Sequence, residues 1–366
     1  MGISPRHSAL RIPRSALVMG GRMRTVADDL DLTLGCPDLI GVLETTAPVV
    51  AAARSVRIEP DAIARAAERL VGLSNGGKLV VPAWDKHYQW SDDRGRAVNV
   101  TLVLDALNFC FWAEPGEDRW KVTYEGEILD GYWALAAAIK RAIDEDECPL
   151  WDADFLADMD DEDADAIFHP AGVSSGRIPM FKTRIANLRE IGRVLARKYD
   201  GWFGAAIEAA GGSAPALVRR VVEDFPSFDD VTTYDNRPVR LYKRAQILAS
   251  DLYGALDGHH WGDLRDLDQL TAFADYKVPQ LLRAEGILVY QPTLAARIAT
   301  QDKLPPESPE EVEIRAATVW GVELLRRALA ERGVNAHAFE IDWYLWTLAQ
   351  GRHDMEPYHR TRTVFY

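Results

Sequence analysis

The sequence predicts a mainly α protein, a helical domain carrying one small inserted β-sheet and hairpin. Three observations carry that prediction. Apolar residues recur at three- and four-residue steps in several windows, prolines and glycines punctuate those windows, and period-two alternation is confined to residues 98–130. The 366 residues contain no internal repeat and no Pro/Gly/Ser linker long enough to separate two cores, so residues 26–366 are expected to form a single domain.

The elements follow in chain order. Residues 1–25 come first, with Arg6, Arg11, Arg14, Arg22 and Arg24 and no acid before Asp28. Their composition is that of a targeting peptide, but they lack a sustained amphipathic pattern and read as an unstructured extension. Asp61 to Leu73 has helical spacing and the Gly76-Gly77 pair ends it. Val100, Leu102 and Leu104 alternate as in a strand, and Trp120 to Tyr124 and Glu127 to Leu129 flank Glu125-Gly126, a hairpin signal. Helices resume at Tyr132 to Ile143 and at Thr183 to Lys198, where Ile185, Leu188, Ile191 and Leu195 build one apolar face. Asp268 to Asp275 reads as a short helix, and Pro279 opens another that Gly286 closes. That leaves Tyr276-Lys277-Val278 as the corner of a helix–turn–helix. Ser308-Pro309-Glu310-Glu311 reads as an N-cap, a proline at the first helical position and a capping-box acid, starting a helix that runs to about Arg332 before Gly333.

Composition excludes several functions. Lys+Arg number 42 against 56 Asp+Glu, a net charge of −14 that opposes a broad grip on DNA or tRNA. Cys36, Cys110 and Cys148 are too few and too scattered for a disulfide framework or a zinc site, which suits a reducing cytosol. No apolar run reaches the roughly 18 to 20 residues of a membrane span. Walker, dinucleotide-binding, zinc-protease, hydrolase-elbow and kinase motifs are all missing. The acidic run from Asp158 to Asp165 has no glycine where an EF-hand loop needs one, and reads as a solvated helix N-terminus. Neither metal nor cofactor is expected, and activity should survive EDTA.

Four segments carry polar groups capable of chemistry. Asp275 precedes the helix that opens at Pro279, where backbone N–H groups hold a carboxylate ionised. Such an anion can accept a proton from water or stabilise an oxocarbenium ion, or it can be a plain N-cap. Tyr242-Lys243-Arg244, at the start of an apolar run, suits a phosphate or a surface ion pair. Asp342 and Trp346 lie four apart on one helical face beside Trp343, fitting a flat cationic ligand or an aromatic core. Asp105-Ala-Leu-Asn108-Phe109-Cys110-Phe111-Trp112 closes the expected strand, and either reads the edge of a base or seals the sheet. The 11 Trp are the compositional oddity, six of them between Trp84 and Trp151.

Taken together, Asn108-Phe-Cys-Phe-Trp112, Gly131-Tyr-Trp133, Phe225 to Phe228 with Asp230-Val-Thr232, Tyr242-Lys-Arg-Ala-Gln246, Phe273 to Gln280, Glu311 to Arg315 and His359 to Tyr366 resemble the queuosine salvage protein family. They occur in the family's order over roughly residues 50 to 366. The resemblance implies an N-glycosidase that hydrolyses queuosine 5′-phosphate and releases queuine for reuse in tRNA. It also implies a mainly helical fold distantly like helix–hairpin–helix DNA glycosylases. Under it Asp275 is the catalytic carboxylate, with Lys243 as the second catalytic candidate. Tyr242, Lys243 and Arg244 are candidates for the 5′-phosphate, together with Arg315, His359, Arg360 and Arg362, so Lys243→Ala should weaken the nucleotide far more than the nucleoside. The secondary ammonium of queuine calls for Asp105, Asn108 and Asp342, and its rings for Phe109, Trp112, Trp343 or Trp346, with Tyr276 also counted among the substrate contacts. The partner is a small molecule, with no stable nucleic acid and no membrane. Two rivals stand beside this reading, a glycosylase acting on a modified base in nucleic acid and a non-catalytic binder of deazapurine nucleotides.

Overall fold

The computed structural model describes residues 30–366 except 36, 75, 77, 78, 80, 93, 146 and 171–175. The expected extension at 1–25 and the second residue of the Gly76-Gly77 pair lie outside the described residues. In chain order the elements are α1 (Val42–Ala52), β1 (Val56–Ile58), α2 (Pro60–Leu73), α3 (Arg96–Ala106), β2 (Lys121–Tyr124), β3 (Glu127–Asp130), α4 (Gly131–Asp144), α5 (Ala153–Asp158), α6 (Asp161–Phe168) and α7 (Phe181–Lys198). They continue with α8 (Gly204–Ala209), α9 (Ala214–Asp224), β4 (Val231–Tyr234), β5 (Arg237–Arg240), α10 (Lys243–Ala255), α11 (Lys277–Ala284), β6 (Leu288–Tyr290), α12 (Pro292–Ala299), α13 (Pro309–Ala330) and α14 (Ala338–Gly351). The protein is mainly α. No helix among the described residues is long and apolar enough to cross a membrane.

The strands pair two by two, all antiparallel. The hairpin β2–β3 turns at Glu125-Gly126, both at positive φ, the conformation its two-residue loop demands. A second hairpin, β4–β5, turns at Asp235-Asn236 in the same way, Asp and Asn being the non-glycine residues that best tolerate the left-handed region. It was not expected, and neither was the pairing of β1 with β6, which joins distant parts of the chain.

Three expectations are corrected. Residues 100 to 104 are not a strand but the middle of α3, which is buried continuously from Ala97 to Ala106. A helix buried all round has no polar face, so its 3.6-residue period disappears and an accidental alternation stands out. The capping box at Ser308 is absent although the helix begins there, because Glu311 turns aside to accept from the Glu307 N–H and the Tyr366 hydroxyl. Residues 270 to 275 are an extended segment instead of a helix, preceded by a single 3-10 turn at Leu267–Gln269, so the corner before α11 is not a helix–turn–helix.

That extended segment is held by side chains in place of helical hydrogen bonds. Gln246 of α10 accepts from the Thr271 N–H at 2.8 Å, Asp342 of α14 accepts from the Phe273 N–H at 2.9 Å, and Arg315 of α13 donates to the Ala274 carbonyl at 3.0 Å. Its backbone is satisfied from three helices at once, which fixes the direction in which it delivers Asp275. The acidic run behaves as expected, with Asp160 and Asp163 forming the capping box that starts α6.

Candidate active site

A cavity of about 310 Å³ opens between the end of α3, the start of α4, one face of α10, the start of α11 and one face of α14. Its placement follows from how α3 ends. The last carbonyls of a helix need donors, and here two buried guanidiniums supply them. Arg244 donates to the Ala106 carbonyl at 2.6 Å and to Asp105 at 3.3 Å, while Arg184 donates to Leu107, to Phe109 at 2.6 Å and to Cys110 at 3.2 Å. This clamp holds residues 105 to 110 in an irregular turn that presents Asn108 and Phe109 to the cavity.

Lys243, the first residue of α10, reaches the same turn and donates through Nζ to the Asn108 carbonyl at 3.1 Å. Its own N–H is held by Asp230, whose carboxylate also takes both guanidinium nitrogens of Arg315 at 2.9 and 2.6 Å. Asp275 accepts through Oδ1 from the Lys277 and Val278 N–H groups at 2.9 and 2.8 Å, a cap on α11. Its Oδ2 has no hydrogen-bond partner among the described residues.

Four buried carboxyls, Asp105, Asp251, Asp275 and Asp342, surround the single ammonium of Lys243. Lys243, even with Lys277 acting on Asp275 and Arg244 on Asp105, does not offset the burial of four carboxyls, and each of them is raised. Burial pushes Asp105 up to about 7 against the pull of Lys243. Burial raises Asp251 well above the carboxylate range and the charge of Asp105 adds to it, and burial does the same to Asp342 with the charge of Asp275 adding. Asp275 is also raised by burial, but Lys243 and two backbone N–H groups oppose the rise. Lys243 itself is lowered to about 8 by burial, with Asp275 the strongest opposing charge. Aromatic walls enclose the group: Tyr132, Trp133 and Trp346 meet edge to face or tilted at 5.3 to 6.0 Å.

Of the residues expected at a site, Lys243, Asn108, Phe109, Asp275, Tyr276, Asp342, Trp343 and Trp346 line this cavity. Asp105 lies directly behind it, fully buried, with Oδ2 lacking a hydrogen-bond partner among the described residues. The remaining phosphate candidates are elsewhere, each already committed. Arg244 is spent on the α3 carbonyls and Arg315 on Asp230, while Tyr242 is buried before α10 at a left-handed φ of 49°. His359 is pushed down to about 3 by burial and by Arg315, and so is neutral. Arg360 donates to the Ala113 carbonyl at 3.2 Å and Arg362 pairs with Glu114 at 2.6 Å. Trp112 stacks beneath these last two guanidiniums and not on the cavity.

Other lining residues were not anticipated individually: Trp84, Asp251, Tyr132, Lys277 and Arg119. Asp251 had a usable signal. Lys243, Ile247 and Asp251 are successive i, i+4 positions on one helix, and an acid on an otherwise buried face calls for an explanation. Asp342, Trp346 and Gln350 repeat the same spacing on α14.

A model described as queuosine salvage protein matches residues 86–366. The chain is 52% identical over 330 residues, covering 90% of it and 98% of the relative, to the Queuosine 5′-phosphate N-glycosylase/hydrolase of Sphaerobacter thermophilus. It is 35% identical over 327 residues to the protein of that name from Bos taurus and 34% identical over 326 residues to that from Mus musculus, covering 86% of this chain and 95% of the relative in each case. The chain belongs to the queuosine salvage protein family. All four carboxyls and Lys243 fall inside the stretch matched by the queuosine salvage model, whereas Trp84 and Asp85 of the cavity wall precede it.

Proposed function

We propose that this cavity binds queuosine 5′-phosphate and hydrolyses its N-glycosidic bond, releasing queuine for reuse in tRNA. The observation that carries the reading is Asp275, a buried carboxyl with one oxygen capped by two N–H groups, the other without a hydrogen-bond partner among the described residues, and Lys243 in electrostatic reach. In the reaction the bond from C1′ to the base nitrogen breaks and takes its electron pair to the base. Water oxygen bonds to C1′ and one water proton balances the base, giving queuine and ribose 5-phosphate.

A ribosyl centre losing its base develops oxocarbenium character, and Asp275 is the anion that faces it. Queuine is a 7-deazaguanine, with carbon where a purine has N7, so the departing base must take its proton at another ring atom. Asp342, kept protonated by burial and by the charge of Asp275, supports the role of proton donor. Lys243 opposes the rise that burial imposes on the Asp275 carboxyl and orients the Asn108 turn. Asp251 on the wall, with Asp105 buried behind it, forms an end rich in carboxyls suited to the secondary ammonium on the cyclopentenediol arm, and Trp133, Trp343 and Trp346 suit stacking on the base. A cytosolic setting is part of the proposal, in keeping with the free thiol of Cys110.

The test is to incubate the purified protein with queuosine 5′-phosphate and follow free queuine and ribose 5-phosphate by mass spectrometry. Tight binding without base release would make the protein a nucleotide carrier. Competition by bulk tRNA would favour a glycosylase acting on nucleic acid.

A further inference from the structure

The charges lining the cavity fall into two groups joined by Asp275. Asp105, Asp251 and Asp342 all feel Lys243, and neither Lys277 nor Arg119 enters their balance. Asp275 feels both Lys243 and Lys277. Lys277 in turn feels Arg119, a like charge on the same wall. The Lys243 end therefore gathers carboxyls, while two cations, Lys277 and Arg119, come together where α11 begins with Asp130 beside them.

The cationic group sits at the mouth. Arg119, just ahead of β2, is exposed and pairs with Asp130 at 2.8 Å. Lys277, the first residue of α11, is half-buried, and among the described residues it makes no ion pair. Its Nζ lies 5.4 Å from the centre of the Tyr358 ring, which in turn packs against Tyr276 at 4.8 Å. An ammonium steadied by an aromatic ring, in ion-pair contact with no carboxylate among the described residues and facing a second cation, is a seat for an anion. The N–H groups of Lys277 and Val278 are already taken by Asp275, so this seat rests on side chains and not on the helix terminus.

We propose that Lys277 and Arg119 hold the 5′-phosphate of the substrate, a role that rests on the function proposed above. The geometry suits one ribose ring. Asp275 and Lys277 are two residues apart and bonded through the Lys277 N–H, so an anion seated on Lys277 sets the ribose beside the Asp275 carboxylate. A zwitterionic substrate is then oriented from both ends, its phosphate at the mouth and its secondary ammonium at the acidic floor. Binding energy from the phosphate, remote from the breaking bond, is converted into positioning of C1′.

The experiment compares wild type, Lys277→Met and Arg119→Gln on queuosine 5′-phosphate and on unphosphorylated queuosine. Each substitution should lower kcat/KM for the nucleotide by about 10- to 100-fold more than for the nucleoside, the charge-assisted bonds to the phosphate being lost from the nucleotide alone, while any loss common to both substrates reports the charge that Lys277 lends to Asp275. Inorganic phosphate should compete with the nucleotide in wild type and lose potency in Lys277→Met, and Lys277→Arg should restore part of the nucleotide preference. Equal losses on both substrates, or an unchanged rate on the nucleotide, would overturn the assignment while leaving the hydrolase reading intact. A wild-type protein that releases base from neither substrate overturns the hydrolase reading and this seat with it.

Discussion

Replacing Asp275 by Asn isolates the charge from the cap. An Asn oxygen can still accept from the Lys277 and Val278 N–H groups, bonds of 2.9 and 2.8 Å in the wild type, so α11 keeps its start. What is lost is one negative charge facing the ribose. At a contact distance of about 4 Å and an effective dielectric of about 20, that charge is worth about 4 kcal/mol against a full positive centre. At about 1.4 kcal/mol per tenfold, the expected fall in kcat is about 10³-fold. Stability should change little, because a partly compensated buried anion is exchanged for a neutral amide that keeps the same bonds. A change of about 1 kcal/mol, with an unfolding entropy of about 2.1 cal/mol/K per residue, moves Tm by only about 1 to 2 °C in a chain of this size. Single-turnover base release followed by mass spectrometry, with a thermal melt of the same preparation, reads both quantities. A mutant within about threefold of the wild-type rate would refute the catalytic assignment. A collapse in Tm with equal loss of every function would make Asp275 a structural cap instead.

Other substitutions should separate the remaining roles. Lys243→Met should lower the rate about 100-fold near neutrality on nucleotide and nucleoside alike, since Asp275 loses the charge that holds it ionised, and part of the loss should return at higher pH; a loss confined to the nucleotide would restore Lys243 as a phosphate ligand. Arg315→Met strands Asp230 and the Ala274 carbonyl, both buried, and should cost about 3 to 5 kcal/mol in chemical denaturation, whereas a cost below about 1 kcal/mol would mean that this pair does not hold the segment leading to Asp275. Asp105 keeps its proton to about pH 7 when folded and to about pH 4 when unfolded, so its contribution to stability is full below about 4 and is lost by about 7. Asp105→Asn should therefore flatten the decline in stability across that interval, and should remove a limb of the kcat/KM profile near pH 7. An unchanged profile would remove Asp105 from ammonium binding.

Legibility in the sequence followed exposure. Where a helix has one wet face, as in α7, the apolar spacing of Ile185, Leu188, Ile191 and Leu195 identified it, and the Glu125-Gly126 turn identified its hairpin because two adjacent positive φ angles restrict the residues allowed. Where burial is complete the pattern fails. α3 reads as a strand, and the segment from Leu270 to Asp275 reads as a helix because its true hydrogen-bond partners, Gln246, Asp342 and Arg315, lie on three other helices. The same holds for the site. Asp275 was visible from its position before a helix, but Arg244 and Arg315 looked like anion ligands until their partners, carbonyls at the end of α3 and the Asp230 carboxylate, were in view.

By itself the sequence determined the class of fold, the family resemblance and the residue types available for chemistry, because local spacing, turn chemistry and ordered motifs are written along one chain. Only the tertiary structure decided which of those charges are free to meet a substrate. A guanidinium or carboxylate acts according to what surrounds it, and its surroundings here come from residues tens to hundreds of positions away. Four carboxyls gather around Lys243 and two cations stand at the mouth, and that division of charge exists only once the helices have packed.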